Sequence, residues 1–314
     1  MKVMGRGSWV VGVLLLGPIT AVGAQDRVFT VDRYFDLERV GSPQISPDGN
    51  RIVFTRSHVD PMKDTFVGML WEMDADGSRQ RQLVKGSSPA WSPDGTRIAY
   101  LAEADGKAQL WVRYMDAEGA VIQVTRGERS PITFRWAPDS KSLAFTMPVP
   151  DTASWHIAMP PTPQGAQWTP APRVVTRLQY RADRTGFLSD DWVHLFVVPA
   201  EGGLARQVTH GAFNVGARGA GIPASPAFDW LADGKTLIID GNDAPNADHQ
   251  FRVSNLYAVD VAGGTLRRLT PDSGFWRDPV VSPDGKWIAY RGFAKTGNTY
   301  HTSDLYVIHP DGTG

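Results

Sequence analysis

The chain has 314 residues, 42% of them hydrophobic, and its 32 Lys and Arg nearly balance 33 Asp and Glu for a formal net charge of −1. Charges are dispersed, with no basic run beyond pairs such as Arg267 and Arg268, which excludes the clustered positive face of a nucleic-acid binder. With no Cys, disulfides, thiolate nucleophiles and Cys-ligated zinc are excluded as well, and stability must come from packing.

In chain order, Lys2 and Arg6 precede an apolar run from Trp9 to Ile19, which ends in the small residues Ala21, Val22, Gly23 and Ala24. This is the charged, apolar and small-residue order of a secretory signal, and the run is too short for a comfortable membrane span. Residues 1–24 are expected to be removed after Ala24, with Gly23 as the alternative site. Residues 25–314 would then be an exported chain, periplasmic or secreted, with no stable membrane span. An uncleaved N-terminal anchor is the competing reading. Next, Arg27 to Val40 mixes strand-like alternation with a helix-compatible stretch, Asp32 to Arg39, and its role is open.

A repeat follows. SPDG stands at Ser46 to Gly49, Ser92 to Gly95 and Ser282 to Gly285, with degenerate copies APDS at Ala137 to Ser140 and LADG at Leu231 to Gly234. The turn has a mechanism: Pro presets φ, Asp bonds its own backbone two residues on, and Gly takes positive φ. Around each turn the same four parts recur. A short strand leads in. An alternating strand follows: Arg51 to Thr55, Arg97 to Leu101, Ser142 to Thr146, Thr236 to Asp240 and Trp287 to Arg291. The third is aromatic-rich, at Leu70-Trp71, Leu110 to Val112, Leu195 to Val197, Leu256 to Ala258 and Leu305 to Val307. The fourth is polar, at Gln80 to Val84, Val121 to Thr125, Ala205 to Thr209 and Leu266 to Thr270. Four short strands at a period of about 46 residues predict an all-β propeller of four-stranded blades, with about five units and an incomplete last one. Trp91, Trp136 and Trp230, each beside a repeat turn, are predicted to be equivalent buried positions.

The third interval is about twice the others, so an insertion is placed at about residues 148–191. Its first half is Pro-rich and predicted to lack regular structure. Its second half, Arg173 to Leu188, has strand character broken by a turn at Ala182 to Gly186. It is read as a lid or domain-contact element, against a plain solvated excursion of one blade.

Candidate chemistry is sparse. A nucleophile elbow needs G-x-S-x-G, and the nearest string, Gly86-Ser87-Ser88-Pro89-Ala90, lacks the final Gly and leads into a strand. None of the seven His pairs with another at the spacing of a metal-binding helix. Asp74 to Ser78 resembles the start of a calcium loop but is read as a hairpin turn, because Ala200 to Gly203 and Val261 to Gly264 hold the same place in other units. Gly216 to Gly221 has its glycines in the wrong order for a dinucleotide site and is read as a loop. The Asp of each SPDG is assigned to turn formation. No catalytic, cofactor-binding or metal-ligating residue is assigned, and no cofactor is expected.

These repeats, ISPDGNRIVF, WSPDGTRIAY, WAPDSKSLAF, WLADGKTLII and VSPDGKWIAY, resemble the propeller repeats shared by the periplasmic Tol-system propeller protein and prolyl oligopeptidase family serine peptidases. Phe29 to Leu37, and Arg177 to Asp183 with Gly186-Phe187, are similar to the dipeptidyl and acylaminoacyl branch of the peptidases. The resemblance implies a propeller that filters access of peptides to an α/β-hydrolase domain carrying Ser, His and an acid, a domain missing from this sequence. The alternative it implies is a non-catalytic Tol-type propeller that binds envelope proteins. The last unit ends at Ile308 to Gly314 without a fourth strand. Either the coding sequence is cut, which is the preferred expectation, or the segment near Val28 to Val31 supplies that strand.

Overall fold

The computed structural model describes residues 30–151, 158–170, 172–183, 186–216, 218–219, 222–223, 227–244, 246–250, 252–270, 274–298 and 300–314. The expected signal segment lies outside them. A short 3-10 turn at Val31–Asp36 leads into the first of five antiparallel sheets of three or more strands, which are joined by two two-stranded ribbons among the described residues. Sheet one is β1 (Glu38–Ile45), β2 (Arg51–Asp60), β3 (Thr65–Asp74) and β4 (Arg81–Lys85), paired in that order. Sheet two repeats it with β5 (Ser87–Trp91), β6 (Arg97–Ala104), β7 (Lys107–Tyr114) and β8 (Val121–Gln123). In sheet three β9 (Thr133–Trp136) and β10 (Ser142–Val149) are followed by the hairpin β11 (Arg181–Ala182) and β12 (Gly186–Phe187). The sheet then resumes with β13 (Trp192–Pro199) and β14 (Arg206–Gln207).

Beyond β14 come β15 (Asn214–Val215) and a two-stranded ribbon, β16 (Arg218–Gly219) and β17 (Ile222–Pro223). Part of the glycine-rich string read as a loop is therefore a ribbon. Sheet four is β18 (Phe228–Trp230), β19 (Thr236–Asn242), β20 (Asn255–Asp260) and β21 (Leu266–Arg268). Its first edge is shared. β18 pairs with Leu237 to Ile239 of β19, whereas β15 pairs with Gly241 and Asn242. Sheet five comprises β22 (Arg277–Val281), β23 (Ile288–Gly292) and β24 (Asp304–Ile308), three strands among the described residues. Val31 belongs to the 3-10 turn, and residues 28 and 29 are outside the described ones.

The first strands of successive sheets, β1, β5, β9, β18 and β22, approach one another, so they line the axis of a β-propeller and each sheet is a blade. No helix among the described residues is long and apolar enough to cross a membrane.

The core is a set of layers, one between each pair of blades. Val53 and Leu70 meet Trp91, Ile98 and Tyr100. Ala99, Leu110 and Val112 meet Phe134, Trp136, Leu143 and Phe145. Ala144, Leu195 and Val208 meet Phe228, Trp230, Leu237 and Ile239. Ile238, Leu256 and Ala258 meet Trp276, Ile288 and Ile308. Because successive side chains of a strand point to opposite faces, Leu237 and Ile239 fill one layer while Ile238 fills the next. A central strand covered on both faces therefore reads as a continuous apolar run instead of an alternating one. Trp91, Trp136 and Trp230 are all buried, with 6 to 8% exposure, as their shared place in the repeat predicts.

The SPDG turns are closed by their own side chains. In the second blade Ser92 Oγ donates to Asp94 Oδ1 at 2.6 Å and accepts from Arg97 N at 3.0 Å, and Asp94 Oδ1 accepts from Thr96 N at 3.0 Å. Ser282 and Asp284 repeat the arrangement with Trp287 N and Lys286 N, as do Ser46 and Asp48 with Arg51 N and Asn50 N. These bonds favour the charged carboxylates. The Ser46 hydroxyl, then Asn50, hold Asp48 below the ordinary carboxylate value, and Ser282, then Lys286 N, do the same for Asp284. The degenerate copy APDS has a physical reason as well. Ser140, at φ 59°, stands where the others have Gly, and its buried hydroxyl accepts from Asp94 N of the preceding blade at 3.0 Å.

Candidate functional site

The axial strands do not run straight. In β1, β5 and β22 the pairing register slips between Gly41 and Gln44, Ser87 and Ala90, and Arg277 and Val280. In each slip a non-Gly residue sits at positive φ directly before a Pro: Ser42 at 51°, Ser88 at 54° and Asp278 at 55°. Such bulges bend a strand and cluster where the chain must be re-aimed. Here they bend it next to the axis.

Between β1, β5 and β9 lies a hollow of about 630 Å³, within the size range of ligand sites. Ser42, Gln44, Ser88, Ala90, Thr133 and Arg135 are among its lining residues, and Arg135 is the sole ionisable one among those described. Phe134 and Trp136 are buried in the layer between blades two and three, so the two-residue period turns Arg135 the other way, where it is exposed. On β18 the carboxylate of Asp229 faces the same region. Burial pushes its pKa up, against the N–H bonds of Val281 and Trp230 and the charge of Arg135. The Val281 bond, 2.8 Å to Asp229 Oδ2, joins blades four and five.

A second hollow, about 370 Å³, opens where the long insertion of blade three meets the loop between β19 and β20. Arg177 fixes the insertion there. Its guanidinium donates to the Asp151 carboxylate and the Asp190 carbonyl, both at 3.0 Å, and stacks 4.2 Å over the Trp192 ring. The remaining walls are rich in amides, among them Asn214, Asn242 and Gln250. These amides largely satisfy one another. Asn242 Nδ2 donates to Gln250 Oε1 and to the Val253 carbonyl, and Gln250 Nε2 donates to Asn246 Oδ1.

The strings weighed for chemistry take structural places. Ser87 and Ser88 lie in β5. Asp74 to Ser78 is the turn between β3 and β4, with Asp76 Oδ1 accepting from Ser78 N and Asp74 Oδ2 from Ser78 Oγ. His194 and Thr209 bring a ring nitrogen and a hydroxyl to 3.1 Å, both buried. The same position in blade two holds Gln109 with Thr125, and in blade four Asn255 with Thr270. In all three the Thr hydroxyl accepts from the N–H of the Leu that follows, Leu110, Leu195 or Leu256. The pair is thus a staple between the third and fourth strands of a blade. Burial, then the nearby charge of His210, lowers the pKa of His194 to about 4, so its imidazole is neutral at pH 7.

Sequence reasoning missed the joints between blades. Trp91 Nε1 donates to the Gln44 carbonyl at 3.1 Å, and Trp136 Nε1 to the Ala90 carbonyl at 3.0 Å, each reaching back one repeat. Over these rings lie the guanidinium groups of Arg51 and Arg97, 4.7 and 5.2 Å from the centroids. Trp230 Nε1 is buried without an acceptor among the described residues.

No family model matches the chain. Dipeptidyl-peptidase 5 of Porphyromonas endodontalis is 27% identical over 307 residues, which cover 92% of this chain and 41% of that protein. The protein of the same name from Porphyromonas gingivalis is 25% identical over 314 residues, 95% of this chain and 43% of its own. Among solved structures, Pyrococcus horikoshii acylaminoacyl peptidase superposes with a TM-score of 0.64 at 16% identity, over 89% of this chain and 39% of the peptidase. The chain therefore spans about two fifths of the length of these relatives, and it is similar to the N-terminal propeller portion of prolyl oligopeptidase family peptidases. Tol-Pal system protein TolB of Hahella chejuensis matches only 56 residues, 17% of the chain, at 43% identity.

Proposed function

We propose that this chain is the substrate-gating propeller of an exported serine peptidase acting on peptides, with the catalytic Ser, His and acid on an α/β-hydrolase domain outside residues 1–314. The observation that carries the reading is the breadth of the match: a dipeptidyl-peptidase aligns along 92% of the chain while more than half of that peptidase lies beyond it. The axial hollow and the fixed insertion support a role in admitting and orienting substrate. Export is supported by the order of charged, apolar and small residues at the N-terminus. In the complete enzyme hydrolysis would proceed by acyl transfer to the Ser, with the His taking and returning the proton. The propeller would contribute shape and selection.

The Tol-type reading has a narrower sequence basis, since matches of 56 and 80 residues to TolB proteins span one to two repeat periods and report the shared SPDG unit. One experiment separates the two. The natural gene product would be recovered from the exported fraction of its own host, identified by peptides of this chain, and treated with a fluorophosphonate. A labelled product longer than 314 residues that hydrolyses dipeptidyl or acylaminoacyl chromogenic substrates is expected. An unlabelled product of 314 residues or fewer, retained by envelope proteins, would overturn the peptidase reading.

A further inference from the structure

The gating reading leaves open what feature of a peptide the axial hollow recognises. Among the described residues its wall carries one charge, the guanidinium of Arg135. Among the described residues the single hydrogen bond of that group is from Nη1 to the neighbouring Phe134 carbonyl at 3.1 Å. That leaves four of the five N–H donors of the side chain unused. Asp229 does not cancel the charge by contact: its Oδ1 takes Trp230 N and its Oδ2 takes Val281 N. The other lining groups are hydroxyls, an amide, prolines and apolar side chains, so the lining itself adds no negative charge, and the carboxylate that faces the region, Asp229, is held by two backbone N–H groups. A planar cation with free paired donors, in a concave site, matches a carboxylate.

We propose that the hollow binds peptides through a carboxylate and that Arg135 is the residue that receives it. The inference rests on the gating reading. The carboxylate can come from the chain terminus or from an acidic side chain, and the test distinguishes them.

Three N-acetylated tetrapeptides would be titrated calorimetrically into the 314-residue chain at low salt: tetra-alanine as free acid, tetra-alanine as carboxamide, and a carboxamide with one Ala replaced by Glu. The acid is expected to bind about five- to tenfold more tightly than its carboxamide, the range for a charge-assisted bond in a half-open site, and raised salt should erode the difference. If only the free acid gains, the terminus is the source; a gain for the Glu peptide as well supports any carboxylate. Arg135→Gln should abolish the preference of acid over carboxamide, while Arg135→Lys should keep part of it. Equal binding of acid and carboxamide by the unaltered chain overturns the carboxylate site and leaves gating standing. Failure of all three peptides to bind overturns both.

Discussion

Replacing Trp136 by Phe, and Trp230 by Phe in parallel, separates the joint between blades from the packing around it. Both indoles fill layers between blades at nearly equal burial, so the loss of ring volume is common to the two variants. They differ in the donor. Trp136 Nε1 reaches the Ala90 carbonyl at 3.0 Å beneath the Arg97 guanidinium, whereas Trp230 Nε1 is buried with no acceptor among the described residues. Trp136→Phe therefore loses a hydrogen bond worth about 1 kcal/mol and weakens a cation–π contact worth about 0.5 to 1 kcal/mol. Trp230→Phe removes a donor that already lacks a partner. Trp136→Phe is expected to be the more destabilising by about 1 to 2 kcal/mol. Trp136→Ala, which also opens a cavity, should cost about 3 to 5 kcal/mol. Urea unfolding followed by fluorescence measures this as a midpoint shift at constant slope. Equal losses for the two Phe variants, or a larger loss for Trp230→Phe, would refute the joint.

Acidification should weaken the fold through His194. Its pKa is lowered from the ordinary histidine value of 6.5 to about 4, so below 6.5 the unfolded chain takes up a proton that the native one refuses. Stability then falls as the pH drops from 6.5 toward 4, by at most about 1.4 kcal/mol per pH unit. His194→Gln, which copies Gln109 of blade two, should flatten that slope in urea melts taken across the interval. Ser92→Ala leaves Arg97 N without its partner in a buried turn and should cost about 1 to 3 kcal/mol, whereas Ser282→Ala, in an exposed copy, should cost less than about 1 kcal/mol. Arg177→Ala removes the bonds to Asp151 and Asp190. Limited proteolysis should then cut faster within the insertion, with the urea midpoint of the blades shifted by no more than about 0.5 kcal/mol equivalent.

The blades were legible because their determinants are local. Ser92, Asp94 and Thr96 close a turn within five residues, and such geometry leaves a sequence signature wherever it recurs. The joints were not, because the acceptors are main-chain carbonyls of Gln44 and Ala90, and a carbonyl has no residue type. β15 escaped notice because two residues, Asn214 and Val215, carry no periodicity. Its place depends on Gly241, where a Cβ would come within 2.8 Å of the Asn214 carbonyl. The axial bulges did leave a trace, a Ser or Asp before Pro at Ser42, Ser88 and Asp278, in the strand ahead of the turn. Arg135 was recoverable as well. It lies between Phe134 and Trp136, and a charge between two buried aromatics on a strand must face elsewhere.

The joints reach from one blade to its immediate neighbour: Trp91 to Gln44, Trp136 to Ala90, Ser140 to Asp94, Asp229 to Val281. A structure tied in this way has the mechanics of a row of clasps. Tension applied between its two ends loads the terminal joints first, and an opened blade surrenders its extended length before the next clasp feels the pull. Each release would pay out on the order of 150 Å of chain per repeat, and blade three, which stores the long insertion, would give a longer step. In an optical trap the order of the five units along the sequence would thus be read as a series of unequal lengths.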